Sequence, residues 1–414
     1  MTASAYLAWL SAALFYYYQY ILRVSPSVMV TDLREAFHLT AEQFSSLGAV
    51  YLYAYSMLQI PIGILIDQIG ARKTVLGSIL LCIVGNLSLA GSQTLSILLL
   101  SRALIGAGSA CAFMSALKIA ADWLPPGKRG LFMGMTLTLG TVGALTAGKP
   151  LVGALETLGW RTTTLWLAGL GAGLFLAVLA LLRLPKGEKH SAPNWQMICR
   201  TIGSIVRNRP VMIYALLAIG VYTPLAVLAD LWGTAFLMER YALPRAQAAE
   251  SSMMMYLGLC IGSLLLPWLC ERWGILNRAI QVCSAGVLFT FAYLLWGPPL
   301  GVAGLTVLLI LLGIFCGAEM ICFTGAVQYT TPENSGMTLG VVNTLNMLGG
   351  AVLQQAIGFF LDLQWTGKLD AAGVRIYNTH EFQLAISLLL GVVALCCFLA
   401  IQLGRDAQGV PTQL

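Results

Sequence analysis

The stretch Gln59-Ile-Pro-Ile-Gly-Ile-Leu-Ile-Asp-Gln-Ile-Gly-Ala-Arg-Lys73 decides how the chain is read. An apolar segment enters it and another leaves it. Between them lies a turn with one acid, Asp67, and two bases, Arg72 and Lys73. Gly63 leaves room for a neighbouring helix to come close. Asp67 falls where the first segment leaves lipid, and Gly70 permits a tight turn. Positive charge in so short a loop marks a cytoplasmic membrane face.

Composition extends that reading. Of 414 residues, 58% are hydrophobic and 10% charged, against about 25% charged in soluble domains. Most of the chain is therefore expected in lipid. The formal net charge of +6 does not indicate nucleic acid, because the bases lie in loops and not in one basic stripe. Only helices or closed barrels satisfy their backbone in lipid, and apolar runs of about 20 residues or longer mean helices. The runs fall at 5–29, 44–66, 74–93, 97–122, 130–154, 163–183, then 210–238, 248–270, 277–296, 300–328, 335–362 and 380–403. No cleavable signal is expected before the first. The predicted layout is an N-terminal six-helix bundle over 1–183, a cytoplasmic linker over 184–209, a C-terminal six-helix bundle over 210–403 and a cytoplasmic tail over 404–414. In the linker, Trp195, Ile198, Ile202 and Ile205 recur at helical spacing and predict an amphipathic helix lying on the membrane. Most loop bases share the side of Arg72 and Lys73, including Lys128, Arg129, Arg207, Arg209 and Arg405; fewer, such as Arg34, Arg161 and Arg240, lie opposite. That bias puts both termini in the cytoplasm, and the short loops fit a bacterial inner membrane.

The pattern Gly63-x-x-x-Asp67-x-x-Gly70-x-Arg72-Lys73 resembles the signature loop between helices 2 and 3 of the major facilitator superfamily, with Gln68 where the family usually has a base. The second half echoes it: Glu271 to Gly274 repeats the spacing of Asp67 to Gly70, as internal repeats in transporter folds do. Arg102-Ala-Leu-Ile-Gly106-Ala-Gly108-Ser-Ala110 resembles the family's helix 4 motif, and Gly159-Trp160-Arg161 its turn after helix 5. Arg23-Val-Ser-Pro-Ser27 is similar to the Arg-x-x-x-Ser of the organic-anion symporter branch. The resemblance implies an all-α membrane protein of twelve transmembrane helices in two six-helix bundles, working by alternating access. It also implies that Asp67 and the Gly63–Lys73 loop latch against the start of span 11 near Ser335-Gly336, where a helix N-terminus carries positive partial charge. Gly63, Asp67, Gly70, Arg72 and Lys73 are accordingly gating candidates.

Charges inside a span are costly and ask for a reason. Tyr16, Tyr20 and Arg23 share one helix face at i, i+4 and i+7, flanked by Gln19. A guanidinium grips a carboxylate or phosphate with two parallel hydrogen bonds, so this face is the expected substrate grip; the alternative is an Arg23 that snorkels to the interface. Lys149 either adds positive potential to the cavity or reaches water. Asn343, Asn346, Gly350 and Gln354 form one polar face of span 11, which binds substrate or ties helices together; Asn343 and Asn346 are the binding candidates. Glu319, deep in span 10, is the leading proton-coupling candidate, because burial without a basic partner favours a neutral carboxyl; the alternative is a permanent ion pair. Asp230 also belongs to proton coupling, and would turn Arg23 into a gate residue by pairing with it. Arg102 anchors or gates at the start of span 4. Asp122 pairs with Lys118 at i, i+4 or meets Arg72.

None of the ten cysteines has metal-ligand spacing and the histidines His38, His190 and His380 are scattered, so neither metal nor cofactor is expected. The expected function is proton-coupled uptake, by a monomer, of a small organic anion or zwitterion: a carboxylate, an amino acid, a short peptide or a carboxylate siderophore. A drug or metabolite exporter predicts an acid-lined apolar cavity. A non-transporting sensor predicts an added soluble domain. An enzyme predicts clustered nucleophiles or metal ligands.

Overall fold

The computed structural model describes residues 2–182 and 195–408, and these are helical almost throughout. In the first half, α1 is Thr2–Val28, α2 Ala41–Ile69, α3 Ala71–Ala90, α4 Leu95–Trp123, α5 Arg129–Leu158 and α6 Trp160–Leu181. In the second, α7 is Arg209–Tyr241, α8 Arg245–Trp273, α9 Leu276–Trp296, α10 Val302–Val327, α11 Ser335–Leu363 and α12 Thr379–Gln408. A short helix, Val30–Phe37, follows α1, and Trp195–Arg207 forms a helix ahead of α7. Residues 184–194 of the expected linker and 409–414 of the expected tail lie outside the described residues.

Among the described residues, eleven helical segments are long and apolar enough to cross a membrane. The twelfth, α1, has the length at 27 residues, but Tyr16-Tyr17-Tyr18-Gln19-Tyr20 lowers its hydropathy. It tolerates that polar run because it packs inside the molecule: Ala8, Ala12, Phe15, Leu22 and Val24 are wholly buried. Two expected spans prove discontinuous. α5 breaks between Thr146 and Lys149, where Gly148 departs from helical angles and Pro150 starts the next turn without an N–H to donate. α10 breaks at Gly317 between Cys316 and Ala318; a side chain there would run into the backbone of Gly262 on α8. In α7, residues Leu228–Trp232 widen into a π turn.

The turns follow the motifs. Thr40 opens α2 with a capping box, accepting from the Gln43 backbone while Gln43 answers to the Thr40 N–H. Gly70 and Gly274, the matching glycines of the two echoed loops, both sit at positive φ, +87° and +63°. On α4, a Cβ at Gly106 would strike the Tyr51 backbone, which is how α4 wedges against α2. Each half packs as its own bundle. They meet along a seam where α2 lies against α11, α5 against α8, and α1 against the π turn of α7. The chain enters and leaves each span alternately, so one end of the molecule carries Asp67 and Lys118, and the other carries Thr40, Asp230's end of α7 and Asp362.

Candidate functional site

The polar centre is built on the seam. The α1 face holding Tyr16, Tyr20 and Arg23 points inward, with all three buried and Arg23 5% exposed. Arg23 does not snorkel. Its Nε donates to Asp230 Oδ2 at 2.9 Å and its Nη2 to the same oxygen at 2.6 Å, across the seam. The same Nη2 donates to the Tyr222 hydroxyl at 2.6 Å. Tyr256, on α8, donates to the other Asp230 oxygen. The π turn places Asp230 here, since it lies inside the widened segment. Tyr20 packs edge-on against Tyr256, centroids 5.3 Å apart, and its hydroxyl accepts from Tyr16 at 3.3 Å. The guanidinium is thus ringed by tyrosines from three helices.

Other sequence candidates gather around this pair. Glu319, 4% exposed, accepts from Asn346 Nδ2 at 2.5 Å, and it lies within electrostatic reach of both Arg23 and Asp230. Asn343 Nδ2 donates to Gln59 Oε1 across the seam at 2.8 Å. Gln19 donates to the Tyr51 hydroxyl at 2.6 Å. The carbonyl oxygens of Gln19 and Asn346 are buried and accept no hydrogen bond. Buried acceptors left unpaired are costly, so a bound donor would be favoured at each. Gln354 donates instead to the Ala226 carbonyl at 2.7 Å.

Arg102 sits fully buried beside the cluster but faces the backbone. It donates to the carbonyls of Leu47, Leu22 and Arg23 at 3.2, 2.9 and 3.4 Å, and lies 4.7 Å from the Tyr51 ring centroid. It stitches α4 to α1 and α2.

Three of the sequence candidates sit apart from the polar centre. Lys149 does not join the polar centre: its side chain is 66% exposed, and its ammonium is 3.9 Å from Glu250 on α8. The break at Gly148 starts a new helical segment at Lys149 and carries it to the rim of the seam. Arg72 does not meet Asp122 but donates to the Leu179 carbonyl at 2.6 Å, while Lys73 is exposed. Asp67 is not seated on the start of α11. It pairs within its own half with Lys118 at 2.6 Å, and Lys118 also reaches Asp122 at 3.6 Å. Gly63 faces Met114 on α4, where a Cβ would lie 3.1 Å from the methyl carbon.

The sequence did not single out Tyr222, Tyr256, Gln59 or the closed end of the seam. At that end Asp32 pairs with Arg245, Ser27 with Thr234 at 3.1 Å, and Trp232 donates to Ser45 at 3.1 Å. Tyrosines in apolar helices and a second acid-base pair near the span ends were the available signals.

Two helical bundles that meet at a buried, charged, cross-bundle core define a membrane transport protein. The chain belongs to the Major Facilitator Superfamily, whose profile matches residues 8–353. The hexuronate transporter of Escherichia coli K12 is 24% identical over 82% of this chain and 85% of its own length. The probable sulfoacetate transporter SauU of Cupriavidus necator is 27% identical over 43% of this chain, and the uncharacterised transporter YybO of Bacillus subtilis 34% identical over 35%. The matched stretches span 41% and 34% of those two relatives, well under two thirds of either. Among solved structures, a bacterial homologue of the human lysosomal transporter Spinster, in an inward-facing and unoccupied conformation, matches with a TM-score of 0.78 at 16% identity over 98% of both chains. The nucleoside transporter NupG matches at 0.70, with 16% identity over 95% of this chain and 98% of its own. These likenesses fix the fold.

Proposed function

We propose that the protein is a proton-coupled importer of a small organic anion or zwitterion, a monomer in a bacterial inner membrane with both termini and the Asp67 end in the cytoplasm. The observation that carries this reading is the Arg23–Asp230 pair. A buried guanidinium bonded to a carboxylate of the other half is matched in geometry to a substrate carboxylate. Substrate can take Arg23 only when Asp230 lets go, and protonating Asp230 removes the charge that holds it. Proton and anion would then load together, and the pair would re-form after both leave, closing the outer side. Glu319 is the second carboxylate available to carry the proton. The unpaired carbonyls of Gln19 and Asn346 offer acceptors to substrate hydroxyl or ammonium groups. The bias of loop bases supports the orientation, and the hexuronate and sulfoacetate names of the relatives support an anion as cargo. Carboxylates, amino acids, short peptides and carboxylate siderophores are the classes to test.

The test is uptake into proteoliposomes with an imposed pH gradient, after a thermal-shift screen across those classes, since a ligand stabilises the state it binds. Saturable, gradient-driven uptake that Arg23→Gln abolishes supports the reading. Uptake that is indifferent to Arg23→Gln, or a response confined to neutral or cationic compounds, overturns it.

A further inference from the structure

α2 and α11 run antiparallel along the seam, so the last turn of each faces the first turn of the other. Each carries an aspartate in that last turn, Asp67 before Ile69 and Asp362 before Leu363. Only one of the two is engaged with the opposite helix. Asp362 accepts from the first two backbone N–H groups of α2, Ala41 at 3.2 Å and Glu42 at 2.8 Å. These belong to the unpaired donors of a helix start, where positive partial charge gathers. Two side chains further fix the carboxylate. Arg375 donates to it at 2.9 Å and Tyr377 at 2.5 Å, while the Tyr377 hydroxyl also accepts from Ala41 N–H at 3.1 Å. Arg34, on the short helix after α1, spans the same joint: it donates to the Arg375 carbonyl at 2.6 Å and lies 4.9 Å from the Tyr377 ring centroid. Burial, and then the Asp362 carboxylate, push the Tyr377 hydroxyl well above its ordinary range, so it remains a donor.

We infer that Asp362 is a positioning residue of the transport cycle, a second latch reciprocal to the Asp67 contact implied by the family loop. It holds the outer end of the seam shut by capping α2, and the cycle exchanges this carboxylate-on-helix contact for Asp67 on the start of α11. The inference goes beyond the proposed cargo, though it rests on the proposed alternation of access. Asp67 is resting on Lys118 while Asp362 is docked, as an exchange of contacts requires. An ordinary structural ion pair would explain Arg375 with Asp362. It does not explain why the carboxylate places both oxygens on the opposite bundle's helix start.

The test uses distance measurements between spin labels on the full-length protein, with no substrate present. One pair, at Ala36 and Glu239, reports the Asp362 end; the other, at Ile69 and Glu333, reports the Asp67 end. Asp362→Asn should lengthen the first distance and shorten the second, shifting the population ratio by roughly threefold to tenfold. Asp67→Asn should shift it the opposite way, the double variant should return towards the parent, and Asp362→Glu should keep most of the parent distribution. If Asp362→Asn fails to fold, Tyr377→Phe and Arg375→Gln replace it and should shift the same way by less. Parent-like distances in the folded variants, or a shift in the same direction as Asp67→Asn, would overturn the inference. Because no cargo is present, opposed shifts without any anion uptake would leave the latch standing and sink the cargo reading alone.

Discussion

Arg23 on α1 and Asp230 on α7 stand 207 residues apart in the chain and share one ion pair at 2.6 Å in the middle of the seam. Both are nearly sealed from solvent. Such a pair is weak evidence for stability, because two desolvation penalties offset the attraction; removing one partner is what costs heavily, about 3–5 kcal/mol. Under the proposed mechanism such a pair serves exchange and not stability.

Arg23→Gln should therefore lower the unfolding free energy by about 3–5 kcal/mol by stranding Asp230. The double variant Arg23→Gln with Asp230→Asn should recover most of that loss, because an amide pair needs no counter-charge. Uptake should stay abolished in both. Thermal melts and proteoliposome transport separate the two effects; recovered uptake in the double variant would show that the guanidinium is not the grip.

Glu319→Gln should flatten the pH dependence of uptake and spare substrate exchange at equal pH on both sides. The carboxylate has one hydrogen-bond donor, Asn346, and no ion-pair partner among the described residues, so its charge state is free to follow the cycle. A variant that keeps its full pH profile would leave Asp230 as the sole carrier.

Lys149→Ala should change transport little. The lysine is exposed, and an open ion pair of this length contributes about 0–1 kcal/mol. A tenfold rise in apparent KM would return it to the substrate path.

Gly106→Leu should destabilise by about 1–3 kcal/mol, because any side chain at 106 meets the Tyr51 backbone, which has no freedom to move aside. The strain would spread into Arg102, one turn away, which bonds the carbonyls of Leu22 and Leu47. A melting temperature equal to that of the parent protein would mean α4 can step away from α2.

The spans were legible because lipid demands long apolar helices, and the Asp67 loop and its echo at Glu271–Gly274 were legible because both turns need glycine. Helical spacing put Tyr16, Tyr20 and Arg23 on one face; that this face points inward leaned on the resemblance to the organic-anion branch, and their burial is what places it there. Its partner followed less firmly: Asp230 was one of several acids in spans, and only folding brings it 2.6 Å from Arg23. Tyr222 and Tyr256 stood out only as tyrosines in apolar helices, a signal that gives no direction. The depth of Lys149 stayed open in the sequence because the break at Gly148 is invisible to a hydropathy count. The Asp362 joint was hidden for a similar reason: backbone N–H groups, which carry no sequence signature, are half of it.

The π turn at Leu228–Trp232 has a mechanical corollary. A wide loop of helix holds one residue of slack. Tightening it to ordinary pitch would swivel side chain 230 through about 100° about the axis, lifting the carboxylate off the guanidinium before either bundle has travelled. α7 would then act as a ratchet pawl, tripped locally and at small cost. Faster amide exchange at Leu231 and Trp232 than in the flanking turns of α7 is the trace such slack should leave.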